Sequence, residues 1–179
     1  LRRRFALAVK VIMREELAGN IVHAYLGERA GQKVLDGSIH LGDGEMIEAV
    51  IWFSDLRDSS GHLERSGIDG YLPLMNDYFE ATAGAVQNAG GDILRFVGDA
   101  MLAIFPLDRF GSARAAVTAA LDAHEESRRR QAVLNERRTG DGERIDFTVG
   151  LHLGQLLYGN VGIQERLEFT VVGSAANLA

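Results

Sequence analysis

Residues 95–105 read RFVGDAMLAIF. Two apolar runs, 92–97 and 100–105, are separated only by Gly98-Asp99. A two-residue Gly-Asp connection between such runs predicts a β-hairpin. The stretch carries two charges in apolar company, Arg95 and Asp99, and the flanking sequence gives each a reason.

Upstream, MIEAVIWFSD (46–55) is short, β-branched and aromatic, and it finishes on Ser54 and Asp55. That is the pattern of a buried strand ending in a carboxylate. Between it and the hairpin, Ile68, Tyr71, Leu72, Met75, Phe79 and Val86 recur at helical spacing and predict a helix over 68–88. Pro73 is placed in its first turn, where a missing N–H does least harm, and Gly90-Gly91 ends it. Downstream, 109–137 reads as a long helix with Ala113, Ala116, Val117, Ala120, Leu121 and His124 inward and EESRRR solvated. RIDFTVGLHLG (144–154) is a strand, QLLYGNVG (155–162) a candidate partner strand beyond Gly154, and LEFTVVG (167–173) another. SAANLA (174–179) opens a helix.

At the other end, 3–18 and 20–36 read as two helices, with Gly19-Asn20 as the stop between them and Gly37 closing the second. Residues 1–45 therefore form a helical lead-in, a linker or dimerisation segment too small to bury its own core. Residues 46–179 form the main domain. The order strand, helix, hairpin, helix, further strands predicts an α+β fold, a ferredoxin-like antiparallel sheet covered on one face by helices.

The chain has 179 residues, room for one domain with a full core. It has no cysteine, which excludes disulfides, thiolate metal sites and a Cys nucleophile. The net charge of -6 argues against a general nucleic-acid surface. No apolar run is long enough to cross a bilayer, so a cytoplasmic domain is expected. The sequence begins at Leu1 rather than Met, and it is expected to be a piece of a longer chain with room for an upstream regulatory or membrane domain. The basic start, LRRRF, reads as a solvated helix face, with a juxtamembrane patch as the alternative.

In the predicted topology the end of the first strand lies beside the hairpin turn, so Asp55 and Asp99 converge. Either Asp alone reads as a local turn residue. Together they repel unless a proton or cation lies between them. Oxygen donors without Cys or His suit Mg²⁺ or Mn²⁺ rather than zinc. Mg²⁺ is commonly held by one or two carboxylates plus substrate phosphates. DLRDSSG (55–61), a small polar turn entering a helix, has backbone N–H groups suited to a polyphosphate, with Ser59 and Ser60 at its centre.

These residues carry a resemblance. FSDLRDSS (53–60), GGDILRFVGDAMLAIF (90–105), VGLHLGQLLYGNVG (149–162) and FTVVGSAANLA (169–179) stand in the order and approximate spacing of the class III nucleotidyl cyclase catalytic domain, which this chain resembles from Val50 onward. YLGERAGQKVLDG (25–37) is similar to the helical lead-in of some bacterial members. The resemblance implies adenylate cyclase activity: ATP is converted to 3′,5′-cyclic AMP and pyrophosphate at the interface of a head-to-tail homodimer. It implies two divalent ions, Mg²⁺ or Mn²⁺, on Asp55, Asp99 and the backbone carbonyl of Leu56. It places Arg95 and Thr170 at the base and Asn177 at the ribose, all from the second subunit. The family's next Arg and a later Lys fall beyond Ala179, so the sequence as it stands is expected to be impaired in turnover.

There are departures. Asp58 and Ser59 stand where the family has Gly and an aromatic. Arg95 replaces a Lys, and a planar fork is a different donor from an ammonium. A cation there argues against GTP, for which the family places an acid. The alternatives are a degenerate cyclase-like module that regulates or dimerises without catalysis, and a GTP-using cyclase. Trp52 reads as core, His152 as structural or dimer-facing, and His23, His40, His62 and His124 lack metal-ligand spacing. Gly90-Gly91-Asp92 has the letters of a diguanylate cyclase motif, but it begins a strand here and reads as coincidence.

Overall fold

The computed structural model describes residues 2–37, 40–138, 143–163, 165–173, 175 and 179, with backbone alone through 2–12 and at 15. The elements in chain order are α1 (Arg2–Leu26), α2 (Glu28–Leu35), β1 (Gly44–Leu56), α3 (Ser59–Asn88), β2 (Asp92–Val97), β3 (Ala100–Pro106), α4 (Leu107–Phe110), α5 (Ala113–Arg137), β4 (Phe147–Ile163) and β5 (Arg166–Val172). The five strands form one sheet in the order β2-β3-β1-β4-β5. The predicted hairpin is present, with Gly98 at φ 62° in its turn, and β1 runs antiparallel to β3.

Register decides which side chains share a face. Val50 pairs with Phe105, Trp52 with Ala103 and Ser54 with Met101. These side chains point at the helices, where Val50, Trp52, Met101, Ala103 and Phe105 pack with Ala83 and Val86 of α3 and Ala116, Ala120 and Ala123 of α5. The intervening pairs, Phe53 with Leu102 and Asp55 with Ala100, point the other way. A second cluster, Leu56, Leu74, Tyr78, Ile145 and Phe147, lies under the end of β1.

Several boundaries differ from those expected. The Gly19-Asn20 stop is absent: α1 runs through it to Leu26. An isolated helical Gly costs about 1 kcal/mol, which a long helix tolerates. The break falls at Gly27, whose φ of 78° a helix cannot hold. Gly31 lets α2 close onto His23, whose ring occupies the space a Cβ would need.

Helix α3 starts nine residues earlier than expected, directly after Asp58, and is broken at Gly67 (φ 62°, ψ -178°). Pro73 thus falls in the second turn after the break, not the first. The expected apolar face is also shifted. Ile68 and Leu72 are exposed, while Leu74, Tyr78, Ala81, Thr82, Ala85 and Val86 are buried.

The predicted helix over 109–137 is two elements, because Gly111 (φ 72°) ends α4 and Ser112 caps α5 through the Ala115 amide. The inner face of α5 is Ala116, Ala120, Ala123 and Ser127. Small residues let it approach α3 closely, so the larger Leu121 is turned out.

The two strands expected on either side of Gly154 are one strand, β4. Gly154 has no positive φ, and a Cβ there would meet the Ala175 Cβ at 2.7 Å. It is a close-approach glycine, not a turn. The expected start of a helix in SAANLA lies largely outside the described residues.

The chain divides into two compact units, residues 1–43 with 159–169, and residues 44–158 with 170–179. Within the first, Asn160 closes the 40–43 turn: its amide donates to the Asp43 carbonyl, and its side chain to that of His40. Among the described residues no helix is long and apolar enough to cross a membrane.

Candidate active site at the end of β1

Asp55 is the penultimate residue of β1 and Asp99 the second residue of the hairpin turn. Antiparallel pairing sets Asp55 opposite Ala100, and the Leu56 amide donates to the Asp99 carbonyl at 3.3 Å. The two carboxyl groups come within hydrogen-bonding reach. Burial and then the neighbouring Asp99 charge and hydrogen bond push the Asp55 carboxyl above its usual range, against a weaker pull from the Leu56 amide. The Leu56 side chain anchors the strand end in the second core cluster.

Beneath the pair, Tyr78 donates to Ser54 Oγ at 3.0 Å, and both are fully buried. Desolvation raises the Tyr78 phenol strongly, the bond with Ser54 opposes it, and the Asp55 and Asp99 charges add to it. The phenol therefore stays a neutral donor that fixes β1 from behind.

This donor set fits a hard divalent cation. It is oxygen-only and partly exposed, and its two carboxylates raise each other's energy until a positive charge is present. Among the described residues there is no group of three or more His, Cys, Asp or Glu that could hold a metal alone. Such a site leaves coordination positions for phosphate.

The other expected residues are more dispersed. Ser59 and Ser60 open α3 directly after β1. Arg95 lies on β2 opposite Leu102, after a register shift between Ile93 and Arg95. Because Leu102 faces away from the helices, Arg95 shares that face with Asp55, while Phe96 points inward onto Phe79 at 4.4 Å between ring centres. Thr170 lies on β5, at the opposite edge of the sheet from β2. Strand pairing brings Asp55, Leu56 and Asp99 together, but leaves three strands between those of Arg95 and Thr170. Asn177 lies outside the described residues.

Beside the site lies a network that no local sequence pattern announces. Glu143 takes Arg65 Nε at 2.5 Å and Arg65 Nη2 at 3.1 Å. His62, buried, has Nδ1 2.7 Å from Glu143 Oε2. Arg65 Nη2 also donates to Asp58 at 3.0 Å. The Arg57 amide donates to the Asp146 carbonyl at 2.8 Å, and Asp146 takes Arg128. The chain leaving Asp55 is thus tied to 143–146 at two points. The only local signal was the acid at 58, because Arg65 and Glu143 are 78 residues apart.

Hydrogen bonding from Arg65, against some desolvation, pulls the Glu143 carboxyl from 4.5 down to about 2. A carboxylate lowered on folding stabilises the protein above its unfolded pKa and loses that contribution as pH falls toward the folded one. Glu143→Gln is therefore expected to flatten the acid limb of the stability curve between pH 4.5 and 2. Thermal melts across that range check it. An unchanged acid limb shows that the ion pairs contribute nothing to stability.

The fold and the paired carboxylates define a class: an α+β domain with two converging carboxylates at one sheet end. No family model matches the chain. It is 32% identical over 149 residues to a terminal-differentiation-specific adenylate cyclase of Dictyostelium discoideum, covering 79% of this chain and 6% of that one. It is 30% identical over 145 residues to an adenylate cyclase of Anabaena cylindrica, covering 79% of this chain and 28% of that one. The crystal structure of the adenylyl cyclase CyaB from P. aeruginosa superimposes with a TM-score of 0.70 at 25% identity, covering 76% of this chain and 71% of that one. The chain belongs to the class III nucleotidyl cyclase catalytic-domain family. It spans less than a third of the length of those two curated relatives.

Proposed function

We propose that the chain is an adenylate cyclase catalytic domain on the cytoplasmic side of its cell, working as a head-to-tail homodimer and converting ATP to 3′,5′-cyclic AMP and pyrophosphate. The observation that carries this reading is the meeting of Asp55 and Asp99 through the register of β1 on β3.

Asp55, Asp99 and the Leu56 carbonyl would hold two divalent cations, Mg²⁺ or Mn²⁺. Bound cations supply charge neutralisation at the phosphates and a more acidic ribose 3′-hydroxyl. The rest is positioning by the chain itself. Ser59 and Ser60, entering α3, receive the phosphates through backbone N–H groups. The second subunit's copies of Arg95 and Thr170 hold the base, and its Asn177 the ribose. The ribose 3′-oxygen then bonds to the α-phosphorus in line. The α-phosphorus to bridging-oxygen bond breaks, pyrophosphate leaves with the electron pair, and the 3′-hydroxyl proton passes to solvent.

Two features support the dimer. Arg95 stands on the face of the sheet turned away from α3 and α5, where a partner can reach it. Ile68 (64% exposed) and Val97 (44%) leave apolar surface that a second copy would cover.

The test is a Mn²⁺-dependent assay of the full-length protein with ATP and with GTP. Cyclic AMP as the main product is expected. Arg95→Glu is expected to lower the ATP-to-GTP preference by at least about tenfold through charge reversal at the base. An unchanged preference removes Arg95 from base reading. A wild type that binds nucleotide without turnover identifies a regulatory module instead.

A further inference from the structure

Asp58 is the one non-glycine residue with positive φ among those described (φ 56°, ψ 34°). A left-handed conformation costs a non-glycine residue about 1 kcal/mol or more, so its surroundings must hold it. It stands at the N-cap of α3, where an Asp ordinarily accepts a bond from the first-turn amides. It makes no such bond. Its carboxylate instead goes to Arg65 Nη2 at 3.0 Å. Gly61 makes room for this, because a Cβ there would collide with both Asp58 Oδ1 and Arg65 Nη1. Arg65 is itself fixed by the two-point contact with Glu143, which His62 braces from the buried side.

We infer that Arg65 is a positioning residue: it holds the Asp58 carboxylate over Gly61, unbonded to the first-turn amides of α3, and neutralises it, so that the loop after Asp55 can receive a polyphosphate. The inference rests on the nucleotide-binding reading of that loop and explains how a carboxylate is accommodated in it. Released from Arg65, Asp58 would cap its own helix. It would then take the amides a phosphate needs and add a negative charge three residues from Asp55. Glu143 and His62 act one step further back, by holding the guanidinium.

The experiment measures binding of inorganic tripolyphosphate with Mn²⁺ to the full-length protein by calorimetry. It compares wild type, Arg65→Gln, Asp58→Gly, the double variant and Gly61→Ala, and follows cyclic nucleotide formation in the same preparations. Arg65→Gln is expected to weaken tripolyphosphate binding about tenfold and raise KM similarly, with kcat changed less than about twofold. The double variant is expected to return within about twofold of wild type, because the carboxylate that needed restraint is gone. Gly61→Ala, which keeps every charge but unseats the carboxylate, is expected to weaken binding in the same direction. Unchanged binding in Arg65→Gln or Gly61→Ala, no rescue by Asp58→Gly, or no tripolyphosphate binding by wild type overturns the inference. If the expected binding pattern appears without cyclic nucleotide formation, the proposed activity fails and the role of Arg65 stands.

Discussion

Asp99→Asn is expected to lower cyclic AMP formation by roughly 10²–10³-fold while slightly raising the melting temperature of the metal-free protein. The two effects have one cause. Asp99 lies within hydrogen-bonding reach of Asp55, whose carboxyl is pushed up by burial and by Asp99. Without a cation the pair is a liability, and removing one charge relieves it. Because Asp55 is exposed, water screens much of the repulsion, and the gain should be about 1–2 °C. With Mn²⁺ added the order should reverse, since a cation that binds only the folded protein stabilises wild type more than the variant. Melts with chelator and with Mn²⁺, alongside the activity assay, check both effects. A variant that keeps wild-type activity removes Asp99 from the metal site. A variant less stable than wild type in chelator shows that Asp99 serves the hairpin turn rather than opposing Asp55.

Trp52→Ala is expected to cost about 3–5 kcal/mol of folding stability, enough to unfold a typical domain in part. Trp52 is fully buried in β1. Its ring lies 6.4 Å from those of both Phe105 and His124, between centres, so it joins sheet to helix α5. Removing it leaves a cavity bounded by β-strand backbone, which cannot collapse far. Trp52→Phe should cost far less. It keeps most of the apolar contact and also removes the indole Nε1, a buried donor with no hydrogen-bond partner among the described residues. Leaving such a donor unpaired costs about 1–3 kcal/mol, which offsets much of the lost volume. Denaturant titrations of the three proteins give the comparison. Equal losses in the two variants would show that the site tolerates no change of shape and that the orphaned donor contributes little.

These predictions rest on different amounts of sequence information. The hairpin was legible because its cause is local: Gly98-Asp99 between two apolar runs permits little else. The carboxylate pair was legible one step further on, since each Asp ends a strand and an antiparallel pairing of those strands sets the ends together. The start of α3 was not legible. DLRDSSG has the composition of a turn, yet its last three residues open α3, whose first two turns are tied through Arg65 to Glu143 from across the chain. Gly19 and Gly154 look like breaks in the sequence because a glycine's letter does not say whether it supplies a positive φ or a close approach. Periodicity turns Leu121 inward because it ranks side chains by hydrophobicity, whereas the α3–α5 contact selects the small ones.

By itself, then, the sequence determined the order of elements, the hairpin, the carboxylates at two strand ends and the family to which the chain belongs. All of these follow from neighbouring residues or from motif spacing. Only the tertiary structure decided that Arg95 shares with Asp55 the face turned away from α3 and α5, because one register shift at the bulge before Arg95 chooses its side of the sheet. Only the tertiary structure decided the state of Asp58. Its charge could have capped a helix, met a cation or faced solvent, and the outcome depends on a guanidinium held by a glutamate 78 residues away from it in the chain.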